Sequence, residues 1–170
     1  MAGELLYYVS DEAANTELIL VKEAAELVIK ELNEYIVSEN IDITLSISEN
    51  TAVLFEMEQL KKVIREIIKN SIEAAADDNP KIWISAAESE DKVEIIIKDN
   101  GIGMDAKELK IVDEPLSTSK IQGKGMGIPI IKSILKRHNG QLQIESVKGE
   151  WTEAKVTVYR EVKSNEHNSF

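Results

Sequence analysis

The residues of this chain whose types and spacing could do chemistry fall in three short segments. They are Glu66-Ile-Ile-Lys-Asn70-Ser-Ile-Glu73, Asp99-Asn-Gly101-Ile-Gly103-Met104 and Gly123-Lys124-Gly125-Met126-Gly127-Ile128. At about 3.6 residues per turn, Glu66, Asn70, Glu73 and Asp77 share roughly 60° of helix arc. A stripe of this kind is commonly the wet side of an amphipathic helix, yet Asn is a poor helix former and is out of place mid-helix. Magnesium takes oxygen ligands near-octahedrally and keeps several waters when it bridges nucleotide phosphates. The side-chain oxygen of Asn70 can supply one such ligand without adding negative charge beside a triphosphate.

Asp99 closes the apolar strand pattern Val93-Glu-Ile-Ile-Ile. Asn-Gly is a strong hairpin signal, but the following Asp105-Ala-Lys-Glu-Leu does not read as a partner strand. Glycines that let a ligand approach the backbone, beside an acid able to accept from an adenine amino group, fit the segment better. The third segment runs into a helix, where free amides and the helix dipole favour an anion; a plain glycine-rich connector fits it as well. It lacks the Gly-Lys-Ser/Thr ending of a Walker loop and the preceding strand of a dinucleotide fingerprint. A magnesium ligand, a base-reading acid and a phosphate cradle together make a nucleotide site.

The elements that must position these groups are legible from periodicity. Leu60, Val63, Ile64, Ile67, Ile68, Ser71, Ile72 and Ala75 make a continuous buried helix face, which Asp77-Asp-Asn-Pro80 ends. Residues 81–87 and 92–98 read as strands, 105–111 as a short helix and 112–123 as irregular. A helix over 126–138 stops at Asn139-Gly140 in a left-handed cap, and 141–147 with 152–159 form a closing hairpin. Upstream, helical spacing covers 21–35, alternation predicts a strand over 41–48, and 53–55 is a short strand. The expected fold is α+β, a two-layer α/β sandwich whose mixed, mostly antiparallel sheet has helices on one face. Residues 20–160 form the domain, 1–19 an N-terminal arm and 161–170 a frayed tail.

The 170 residues suit one domain with a single core, and 43% apolar with 30% charged residues is the composition of a soluble globular protein. No apolar run reaches the roughly eighteen residues of a membrane span, and no signal peptide is visible. The absence of cysteine excludes disulfides and thiolate metal sites. A cytoplasmic location is expected. The formal charge of −11 belongs to residues 1–59, with 13 acidic side chains against Lys22 and Lys30; residues 60–170 carry 18 of each sign. An acidic surface disfavours nucleic acid, whose affinity depends on neutralising phosphates. Neither nucleic acid nor membrane is an expected partner of this chain.

Together the three segments resemble the ATP-binding fold shared by gyrase, Hsp90, MutL and the sensor histidine kinases, over about residues 56–159. Asn70 matches the magnesium-binding asparagine of that family's N box. Asp99, Gly101 and Gly103 match its first glycine box, whose aspartate reads adenine. Gly123, Gly125 and Gly127 match the second, which packs against the phosphates. Pro115-Leu-Ser-Thr-Ser-Lys120 is similar to the Pro-Phe-Phe-Thr-Thr-Lys stretch of bacterial histidine kinases. The resemblance implies the catalytic, ATP-binding (Bergerat-type) domain of such a kinase, with ATP and Mg2+ as cofactors. Glu73, Met104, Lys120, Lys124 and Met126 join the implied nucleotide contacts, with Lys120 and Lys124 as phosphate ligands or as solvated lysines of a lid over 112–124.

In that family the γ-phosphate passes to a histidine on a separate helical domain, and from there to a response regulator. His138 and His167 are the only histidines, and neither has the setting of a phosphoacceptor. The acceptor is therefore expected elsewhere, with residues 5–9 left from the end of a dimerisation helix. Glu66 departs from the asparagine that many histidine kinases carry four residues before the magnesium ligand. The hydrolytic members and the anti-sigma serine kinases have glutamate there. Glu66 is accordingly either a base one turn from Asn70 or an exposed helix acid. A stand-alone serine kinase or slow ATPase is the alternative function.

Overall fold

The computed structural model describes residues 15–76, 78–114 and 127–160. The elements run β1 (Glu17–Leu20), α1 (Val21–Glu31), α2 (Asn33–Ser38), β2 (Asp42–Ser46), β3 (Ala52–Phe55), α3 (Met57–Glu73), β4 (Lys81–Glu88), β5 (Lys92–Asp99), α4 (Ala106–Asp113), α5 (Gly127–Arg137), β6 (Gly140–Val147) and β7 (Trp151–Tyr159). Five strands form one mixed sheet in the order β2-β4-β5-β7-β6, parallel only between β2 and β4. A separate two-stranded antiparallel sheet joins β1 to β3.

Alternation places the core. In β5, Val93, Ile95 and Ile97 are buried and face the helices, as do Ile82 and Ile84 of β4 and Ala154, Val156 and Val158 of β7. The stripe Leu60, Val63, Ile64, Ile67 and Ile68 of α3 packs on this face, with Ile131, Ile134 and Leu135 of α5 beside it. α3 touches β5, α1 and α5, and α5 touches β6. The result is the expected two-layer α+β arrangement, in which the sheet's other face carries Trp83 and Lys98, whose ammonium lies over the Trp151 ring at 4.7 Å.

Several boundaries differ from expectation. The 21–35 helix breaks at Leu32, where the backbone leaves helical geometry before α2. The arm assigned to residues 1–19 contains strand β1, which pairs with β3 through Glu17–Phe55 and Leu20–Ala52. The left-handed stop after α5 is where it was expected, at Asn139 (φ 57°). Gly140 is small for another reason, because a Cβ there would stand 2.7 Å from the Thr157 carbonyl oxygen. The short helix α4 runs to Asp113 and opens on a capping box between Asp105 and Glu108. Among the described residues no helix is long and apolar enough to cross a membrane. The apolar segment at residues 5–9 and the tail from 161 lie outside the described residues.

Candidate functional site

The C-terminal half of α3 and the end of β5 bound a cavity of about 350 Å³. Its polar wall is Asn70, Ser71 and Glu73 from α3, Asp99 from β5 and Thr152 from β7, with Gly103, Met104 and Glu108 at one side. Its apolar wall includes Ile67, Ile97, Ile128, Leu142, Ile144 and Ala154. A flat aromatic base with one polar edge matches a site of this composition.

Asp99 is 4% exposed at the end of a core strand. Its Oδ1 accepts from the Gly101 amide at 2.9 Å. Burial pushes its carboxyl pKa up, opposed by hydrogen bonds from the Gly101 amide, the Ser71 hydroxyl and the Thr152 amide. These donors let a carboxylate persist where solvent is scarce, and such a group is a strong acceptor. Ser71 sits in an otherwise apolar helix stripe, and a buried hydroxyl needs a partner. Its place in that stripe was the signal in the sequence that Asp99 has a neighbour; Thr152 left no comparable sign.

The glycines of the first glycine segment make room for the chain's own backbone. A Cβ on Gly101 would stand 2.3 Å from the Ala74 carbonyl oxygen, and one on Gly103 (φ 62°) 2.0 Å from that of Val147. The Ile102 amide donates to Ala74 O at 2.9 Å and the Gly149 amide to Ile102 O at 2.6 Å. Met104 is fixed through its amide to Ser146 Oγ at 2.8 Å. The loop is thereby stitched to the end of α3 on one side and to the β6–β7 turn on the other. Asn100 adds to this, accepting from the Lys81 amide at 2.7 Å.

Asn70, Glu73, Asp99, Gly103 and Met104 therefore line one cavity, and Gly101 is not among its described lining residues. Glu66 and Gly127 are not among its described lining residues; they meet each other instead. A Cβ on Gly127 would stand 2.6 Å from Glu66 Oε1, while Glu66 Oε2 lies 3.8 Å from Lys69 Nζ. Asp77, Lys120, Gly123, Lys124, Gly125 and Met126 lie outside the described residues. His138 is not among the described lining residues: its ring stacks on Phe55 at 3.8 Å, and Nδ1 lies 2.8 Å from Ile134 O. Among the described residues no cluster of three His, Cys, Asp or Glu could hold a metal unaided. An Asn amide oxygen and a nearby carboxylate suit magnesium only when phosphate and water complete the shell.

Over residues 55–162 the sequence matches the family described as histidine kinase-, DNA gyrase B-, and HSP90-like ATPase. Sporulation kinase C of Bacillus subtilis (strain 168) is 34% identical over 149 residues, covering 86% of this chain and 35% of that protein. Sporulation kinase E of the same organism is 33% identical over 120 residues, covering 70% of this chain and 16% of that protein. The chain thus spans a minor part of the length of these relatives. The nucleotide-free catalytic domain of histidine kinase ThkA superposes with a TM-score of 0.76 at 23% identity, over 86% of this chain and 96% of that one. ThkA in complex with the response regulator TrrA superposes with a TM-score of 0.76 at 20% identity, over 94% of this chain and 46% of that one. At these identities the structural likeness is a likeness of fold.

Proposed function

Because this chain belongs to the histidine kinase-, DNA gyrase B- and HSP90-like ATPase family, we propose that it is the ATP-binding catalytic domain of a sensor histidine kinase. The observation that carries the reading is the buried Asp99 facing a cavity shared with Asn70. The Asp99 carboxylate accepts from the exocyclic amine of adenine, and Ile97, Ile128 and Ile144 enclose the base. Asn70 supplies an oxygen ligand to Mg2+, with Glu73 close by on the same helix. Lys120 and Lys124, with Gly123, Gly125, Met126 and Gly127, meet the phosphates. Magnesium supplies charge neutralisation when bound, and phosphoryl transfer otherwise needs mainly positioning.

The acceptor is a histidine on a helical dimerisation domain, and the next recipient is a response regulator. The setting is cytoplasmic, residues 17–160 are the working domain because β1 pairs with β3, and residues 1–16 and 161–170 are its flanks. Glu66 lies beside Gly127, and Glu66→Gln tests whether it acts as a base. The test is γ-labelled ATP offered to this chain with a histidine-bearing helical domain, and separately with a serine-bearing partner. Acid-labile label on the helical domain is expected. Acid-stable label on the serine partner, or label on neither with slow hydrolysis that Glu66→Gln stops, would replace the reading with a serine kinase or an ATPase.

A further inference from the structure

We infer that the outer face of the β1–β3 sheet is a seat for the apolar run Leu5, Leu6, Tyr7, Tyr8 and Val9 of this same chain. In that sheet Leu18 stands opposite Leu54 and Leu20 opposite Ala52. The inner face carries Ile19, Val53 and Phe55, all buried, whereas Leu18 is 70%, Leu54 53% and Leu20 43% exposed on the outer one. Side chains directly opposite on an antiparallel pair have Cβ atoms only about 5 Å apart, so these leucines form one continuous patch. Single exposed leucines are ordinary, but an adjacent set on one small sheet marks a covered surface. A two-stranded ribbon is also marginal until its faces are packed.

The occupant follows from where the described chain begins. The Asn15 amide donates to Glu56 Oε1 at 2.9 Å, which holds the incoming strand beside the end of β3. Residues 10–16, Ser-Asp-Glu-Ala-Ala-Asn-Thr, separate the apolar run from Glu17. With Asn15 held, the five residues 10–14 reach about 17 Å when extended, enough for the run to turn back across a patch two strands wide. The connecting stretch is polar and suits a solvated turn, while five consecutive apolar residues gain by leaving water. The patch itself bears no charged side chain between Leu18, Leu20 and Leu54, so apolar contact is the chemistry it offers. Docking there fixes the direction from which the chain enters the domain.

The chain has no cysteine, so an introduced pair reports proximity without interference. The full chain carrying Leu6→Cys with Leu54→Cys is oxidised beside a control carrying Leu6→Cys with Glu58→Cys, Glu58 being exposed at the start of α3. The expected result is an intrachain disulfide forming at least about tenfold faster in the first pair, because docking raises the effective concentration of its thiols. Leu18→Asp on the first pair should abolish that advantage. In the otherwise native chain, Leu18→Asp should also speed protease cleavage within residues 10–16. Equal rates, no disulfide in either pair, or unchanged cleavage would overturn the inference. A disulfide linking two chains in preference would overturn it in favour of a second copy as occupant.

Discussion

Glu66 Oε1 occupies the space that a side chain on Gly127 would need, 2.6 Å from the ideal Cβ position. The carboxylate lies beside the first described residue of α5. The contact ties α3, which carries Asn70, to the element that follows the second glycine segment.

Glycine to alanine within a helix ordinarily gains about 0.5–1 kcal/mol. Gly127→Ala should instead be neutral or lose up to about 1 kcal/mol here, because Glu66 must move. In a Glu66→Ala background the same change should stabilise. Urea unfolding of the four proteins in this cycle measures the coupling, and an equal effect of Gly127→Ala in both backgrounds would remove the contact from the account.

Asp99 is the second test. Burial raises its pKa in the folded protein, so the folded state holds this proton to higher pH than the unfolded chain does. Stability therefore falls as pH rises from the ordinary carboxylate range through the raised value, then levels. Asp99→Asn keeps an acceptor for the Gly101 amide and removes the titration. Its unfolding midpoint at neutral pH should equal or exceed that of the native chain, with the advantage shrinking in acid. Its affinity for Mg-ATP should fall at least about tenfold, the scale of a lost charged hydrogen bond. A lower neutral-pH midpoint, or unchanged affinity, would contradict the reading.

The fold and the site were unequally legible in the sequence. The α3 stripe, the β5 strand with Asp99 at its end and the closing hairpin follow from local periodicity, and they hold Asn70 and Asp99 in one cavity. What local pattern cannot give is a partner. The strand Glu17–Leu20 is four residues long and is defined only by pairing with Ala52–Phe55. The same is true of the glycines. Gly101 and Gly103 were expected to admit a ligand, whereas the atoms nearest their missing side chains are the carbonyls of Ala74 and Val147. Those close approaches come from elements far apart in sequence.

The two glycines accordingly predict a folding defect. Gly101→Ala and Gly103→Ala press a methyl group into backbone that is itself hydrogen-bonded, so no flexible side chain can yield. Each should cost about 1–3 kcal/mol, the range of strained or overpacked sites. Chemical denaturation with and without nucleotide reads this; a loss of affinity with no loss of stability would restore the ligand-approach explanation.

His138 offers a pH signature of the core. Burial lowers its pKa, aided by Arg137 and opposed by the hydrogen bond to Ile134 O and by Glu56. The unfolded chain therefore takes up this proton first, and stability is lost as pH falls from the ordinary histidine range toward the depressed value. His138→Phe preserves the stack on Phe55 and should flatten that part of the stability profile, although it sacrifices the bond to Ile134. Identical losses on acidification in both proteins would place the titration elsewhere.

The most direct measurement of the central claim is calorimetric titration of Mg-ATP into the folded native chain and into Asn70→Ala. The account predicts one-to-one binding that depends on magnesium in the native chain and is lost in the variant, with both proteins unfolding cooperatively. No heat of binding on the well-folded native chain, or equal magnesium-dependent affinity in the two proteins, would contradict it.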